Sequence, residues 1–96
     1  MVIGVLQVEL TIEHAMSLKD KRRVVKSLKD RLHRHHQVSV AEVDRLEDAR
    51  TAILGVTLAS NDVRHCQSTL DRLVDSLHPA KDFVLADHRI EILTGR

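Results

Sequence analysis

Aromatic residues are almost missing from this chain of 96 residues, which has one phenylalanine, Phe83, and neither tryptophan nor tyrosine. Proteins that stack nucleobases on a sheet need exposed aromatic rings, so that mode of RNA binding is closed to it. A single cysteine, Cys66, cannot form an intramolecular disulfide, and the fold must hold without one. The glycines, Gly4, Gly55 and Gly95, are too scattered for a phosphate-cradling loop or for a Gly-x-Ser-x-Gly nucleophile elbow. No apolar run approaches the ~20 residues that cross a bilayer. Gln7, Glu9 and Thr11 interrupt the N-terminal apolar stretch and exclude a signal-peptide core. A soluble protein without membrane association, in the cytoplasm, is the expectation.

What is present is charge, unevenly placed. Between Lys19 and Arg34 stand eight basic residues against Asp20 and Asp30, a balance of +6. The remainder carries seven basic and twelve acidic residues, a balance of −5. The formal total of +1 therefore hides a positive pole that can steer anionic partners. Apolar residues make up 43% of the chain, enough for one core, and the length is that of one small domain over residues 1–96.

Hydrophobic periodicity sets out six elements. Met1 to Ile12 alternates with period two, with Val2, Gly4, Leu6, Val8, Leu10 and Ile12 on one face, and reads as a strand. Ser17 and Asp20 form a capping-box start to a helix whose apolar stripe is Leu18, Val24, Val25, Leu28 and Leu32, fading near His35 and His36. Val38–Val43 and Thr51–Ala59 read as strands around a polar loop. Ser60-Asn61-Asp62 starts a second helix, with Val63, Cys66, Leu70, Leu73, Val74 and Leu77 as its apolar face, and Pro79 closes it. Phe83–Leu93 is the last strand. The order βαββαβ has one common compact solution, an α+β, ferredoxin-like domain: a four-stranded antiparallel sheet in the order 4-1-3-2 with both helices on one face.

Three groups of residues are candidates for function. Projected at 100° per residue, Lys19, Arg22, Arg23, Lys26, Lys29 and Arg34 spread over an arc opposite the first helix's apolar stripe. Such a row suits phosphate oxygens; the bland reading is a solvated face, although solubilising faces usually mix signs. On the open sheet face, Ile3, Val5, Ile53 and Leu93 are expected to form an apolar patch at one end, suited to self-association or a protein partner, against the alternative of ordinary exposed aliphatics. Lys21 falls within the apolar stripe and needs a carboxylate; Glu42, on the helix-facing side of the second strand, is the expected partner in a structural ion pair.

No catalytic site emerges. His33, His35 and His36 point at different angles, His65 and Cys66 are adjacent and diverge, and no set of ligands for a metal converges. Cys66 reads as a small core hydrophobe and His88 as a semi-buried, hydrogen-bonded residue in line with Val84, Ala86, Ile90 and Ile92. Neither cofactor nor metal is called for, and the chain reads as a non-enzyme.

Met1-Val2-Ile3-Gly4-Val5-Leu6 and Ser17-Leu18-Lys19-Asp20-Lys21-Arg22-Arg23, continued by Val38 to Asp44, Ser60-Asn61-Asp62 and Ile90 to Leu93, resemble the YlxP-like bacterial family of unknown function. The resemblance spans essentially the whole chain, and Ser17 to Arg22 is its most specific stretch. It implies a ferredoxin-like fold and, from the label ribosome-binding-factor-like sometimes given to the family, a ribosomal association. It brings no catalytic residue. The chain departs from the family at Ala49, where tryptophan is expected, and at His88, where an apolar residue is. The leading expectation is an accessory protein that touches ribosomal RNA or a ribosome-associated protein through the first helix; the alternative is a protein-interaction or homodimerising module using the open sheet.

Overall fold

Residues 1–95 are described by a computed structural model. Its elements are β1 (Val2–Thr11), α1 (Leu18–His36), β2 (Ser39–Asp44), β3 (Thr51–Ser60), α2 (Val63–Ser76) and β4 (Val84–Thr94). The strands form one antiparallel sheet in the order β2-β3-β1-β4, with both helices on one face: an α+β, ferredoxin-like arrangement as the periodicity predicts.

The period-two pattern of β1 explains which face is covered. Leu6, Val8 and Leu10 are fully buried under the helices, while Gln7 between them is exposed. Opposite them, Ala52, Leu54 and Val56 of β3 are also fully buried. α1 brings Val25, Leu28 and Leu32, and α2 brings Leu70, Leu73 and Val74, followed by Leu77. α1 packs beside β2, and α2 lies across β1, β3 and β4. That close approach needs Gly4: a Cβ there would stand 2.5 Å from Cys66 Sγ and 3.0 Å from Leu70 Cδ1. Burial pushes the Cys66 thiol up from its ordinary pKa, in keeping with a core hydrophobe.

Both helix starts are capped, with differences from the sequence pattern. Ser17 Oγ accepts from Asp20 N at 3.2 Å, but the Asp20 carboxylate accepts from Met16 N at 2.9 Å, one residue before the cap. Asp62 alone is the cap of α2, accepting from Arg64 N. α1 ends at His36, as its pattern predicts, and stops at Gln37, which takes a left-handed φ of 53° and returns its N–H to His33 O. Val63, expected on the apolar face of α2, is exposed.

Two irregular pairings change the predicted faces. Along β1 and β4 the register passes from Glu9↔Asp87 to Leu10↔Leu85, so Ala86 is an extra residue. That moves Val84 off the helix-facing side, where a strict alternation had placed it, and leaves it exposed. His88 pairs with Val8 but lies on an edge strand and is exposed, not semi-buried. Between β2 and β3, Val43 is extra, and its side chain covers Gly55 on the open face, where an added Cβ would meet Val43 Cγ1 at 2.9 Å.

Candidate anion-binding surface

Ser17 to Arg22 divides between structure and surface. Lys21 is 1% exposed, and its ammonium stands 2.7 Å from Glu42 Oε2. It also donates to the carbonyls of Arg45 at 2.7 Å and Asp48 at 2.6 Å. Two donations and one opposite charge thus surround the ammonium, as a buried lysine requires. The approach to Glu42 is a close ionic contact without the alignment of a hydrogen bond, the aligned donations going to the two carbonyls.

The loop that receives Lys21 is itself a polar knot. Arg45 has a left-handed φ of 58°. The Asp48 carboxylate accepts from Arg50 N at 2.9 Å and Thr51 N at 3.2 Å, and pairs with the Arg45 guanidinium at 3.3 Å. The backbone donation from Arg50 is the main reason that its pKa is held below the ordinary carboxylate value. Arg50 Nε in turn donates to Ala15 O, joining this loop to the one before α1. Ala49 is half-buried in the same knot.

The remaining cations of α1 face outward. Lys19, Arg22, Arg23, Lys26 and Arg34 are exposed, and Lys29 is half-buried. Within this row the one ion pair among the described residues is Lys26 with Asp30 at 3.4 Å, both well exposed. An exposed pair of this kind contributes about 0.3–0.5 kcal/mol and leaves Lys26 free to exchange partners.

The apolar patch expected on the open sheet is not one patch. Ile3 pairs with Leu93 of β4 and Ala59 of β3, whereas Ile53 pairs with Glu9, six residues further along β1. At ~3.4 Å per residue this places Ile53 roughly 20 Å from Ile3. Ile53 is also 7% exposed and has little surface to offer. Ile3 and Val5 are half-buried, and beside them Val5 faces Glu91 and Thr57. β3 runs antiparallel to β1, as the fold requires, and this carries its start, with Ile53, to the end of the sheet opposite Ile3. Phe83 is buried, and no aromatic ring faces out from the sheet among the described residues.

A second basic feature went unnoticed in the sequence. The last turns of α1 and the outer side of α2 enclose a groove of about 730 Å³, whose walls carry Arg31, Arg34, His35 and His36 from α1 with His65 and Arg72 from α2. Its signal was available: His65, Thr69, Arg72 and Ser76 recur at intervals of four, three and four, a polar stripe flanking the apolar face of α2. Burial lowers the pKa of His36, and the positive charges of His35 and Arg72 lower it further. His33 turns away, its Nδ1 lying 2.9 Å from Val38 O. Among the described residues no group of three or more His, Cys, Asp or Glu side chains is arranged to hold a metal ion, and no helix is long and apolar enough to cross a membrane.

A family model described as "Protein of unknown function (DUF503)" matches residues 3–90. The chain belongs to this family. The match takes in β1, the Lys21 knot, both helices and most of β4, so the whole candidate surface lies inside the family's own extent. A comparison with curated proteins finds no match. Among solved structures, the chain is similar to "De novo designed protein Foldit4", with a TM-score of 0.55 at 13% identity over the full length of both chains. At that identity the likeness concerns the fold alone.

Proposed function

We propose that this DUF503 protein is a non-enzymatic, cytoplasmic accessory protein that binds RNA, in the setting of the ribosome, through the outer face of α1. The observation that carries the reading is the row Lys19, Arg22, Arg23, Lys26 and Arg34, exposed along one helix with a single weak carboxylate partner among the described residues. Lys29 joins it at the margin. Flexible cations at successive turns follow a phosphate backbone without needing base contacts, which suits a sheet that has no exposed ring to stack upon. The resemblance to YlxP-like, ribosome-binding-factor-like proteins supports the choice of ribosomal RNA over other polyanions.

Co-sedimentation with ribosomal subunits across a salt series tests it. If about four phosphates are neutralised, log K should fall with log salt at a slope of about −3. Reversing Arg23 and Lys26 to glutamate should abolish binding near physiological salt without unfolding the domain, because both side chains are exposed. Binding unchanged by that reversal, or absent even at low salt, refutes the proposal and leaves the basic face as a solvated surface.

A further inference from the structure

The groove between α1 and α2 differs in kind from the other surface depressions. Three arginines and three histidines line it and no carboxylate does. The depression beside the start of α1 is lined by Asp20 and Asp82 as well as Arg23, and the one on the far side of α2 by Asp71 and Asp75 as well as Arg64. Arg72 borders the latter as well, yet neither it nor Arg31 forms an ion pair among the described residues.

Helix electrostatics explains only part of this. Basic residues in the last turn of α1 complement the negative end of its dipole, which accounts for His35 and His36. His65 lies in the first turn of α2, where the dipole disfavours a cation, so its presence opposite His36 has no such cause. The hydroxyl groups in the groove are already committed: Thr69 Oγ1 donates to His65 O at 2.9 Å and Ser76 Oγ to Leu73 O at 2.6 Å. Besides the Gln37 amide, the donors left for a ligand are guanidinium and imidazole groups, which suit phosphate oxygens. A volume of about 730 Å³ exceeds the needs of one inorganic ion and falls within the range of small-ligand sites.

We propose that this groove is a phosphate-recognition site, sharing only Arg34 with the outer face of α1, that holds the phosphate groups of a nucleotide unit between Arg31 and Arg34 on one side and Arg72 on the other, with His36 and His65 closing upon them. The groups facing His36 are His35, Arg31 and Arg34 from its own helix and His65 and Arg72 from α2, all basic. A bound phosphate relieves their mutual repulsion, so binding raises the His36 pKa and strengthens as pH falls through the histidine range. The phosphate can come from a free nucleotide or diphosphate, or from an RNA end or backbone.

Histidine ring resonances followed by NMR in a phosphate-free buffer decide it. Pyrophosphate should shift His36 and His65 saturably, with an upward move of the His36 pKa, and Arg72→Gln should weaken this by about tenfold or more. A short RNA that displaces pyrophosphate identifies a chain phosphate as the ligand; pyrophosphate binding undisturbed by RNA identifies a free one. The Arg23/Lys26 reversal should leave the pyrophosphate shifts intact, which separates this site from the outer face of α1. Resonances that do not move with millimolar pyrophosphate, that move equally with chloride, or that respond unchanged in Arg72→Gln overturn the proposal.

Discussion

Replacing Lys21 by methionine keeps the aliphatic stem that lies in the core and removes only the ammonium, so the change isolates the polar knot from the packing around it. Two carbonyls lose a donor and one carboxylate loses its counter-charge. Glu42, whose side chain is 15% exposed, is left as a largely buried carboxylate without its cation. Arg45 O keeps a second donor, Asp48 N at 3.0 Å, while Asp48 O keeps none among the described residues. Breaking a buried pair from one side costs about 3–5 kcal/mol, and a chain of this length has roughly 5–15 kcal/mol in all. With a urea slope of about 1–1.5 kcal/mol/M, the midpoint should drop by about 2–5 M.

A double change sharpens the test. In Lys21→Met with Glu42→Leu no buried charge is left, and the remaining cost is the carbonyl of Asp48, about 1–3 kcal/mol and toward the lower end because the loop is half-exposed. The double variant should therefore be more stable than Lys21→Met alone, by about 2 kcal/mol. Amide exchange over residues 45–50 should rise in both, since both free the loop. A Lys21→Met midpoint within 1 M of the parent, or a double variant no better than the single one, would refute the account of Lys21 as the donor that neutralises Glu42 and fastens this loop.

Gly4→Ala should destabilise by about 1–3 kcal/mol in urea titration, because the new methyl group meets Cys66 Sγ inside van der Waals distance; pairing it with Cys66→Ala should recover part of the loss, and no recovery would point to another cause. Stability should also decline as pH falls. The folded-state pKa values of His36 and Asp48 both lie below their ordinary ones, so each contributes stability that is full above the unfolded value and lost as pH falls through the folded one. His36 therefore acts below pH 6.5 and Asp48 below 3.8. His36→Asn should flatten the first decline in urea midpoint against pH, and an unchanged profile would refute this attribution.

How far the sequence could be read depended on whether a residue's position was fixed by local pattern or by partners distant in the chain. The period-two run of β1, the cap at Ser17 and the apolar stripes of both helices are local, and each element is found where the pattern placed it. Lys21 was legible for a related reason: a lone cation within an apolar stripe announces that an acceptor must exist, and Glu42 was the acid on the facing side. Arg45 O and Asp48 O could not be foreseen, because backbone carbonyls carry no sequence signature. Ile53 lies away from the expected patch because alternation gives the face of a strand but not its register against a neighbour. Val84 was misplaced by the bulge at Ala86, which one extra residue creates and no composition rule marks.

The same distinction bears on function. Ser17, Asp20 and Lys21 are explained by a cap, a backbone acceptor and a loop anchor, so the most distinctive stretch of the chain is largely a folding device. Its specificity therefore cannot be taken as evidence of a ligand. Arg22 in that stretch and Arg23 after it form no ion pair, and neither do Arg31 and Arg72 in the groove, among the described residues. Uncompensated cations are costly to bring together through mutual repulsion, which adds to the larger effect of burial in lowering the pKa of His36. A fold that already has its core, its caps and its loop anchor gains nothing in stability from that crowding. The crowding is what an anionic partner would offset, which makes these cations, and not the lysine that is buried among them in sequence, the residues on which the function should be sought.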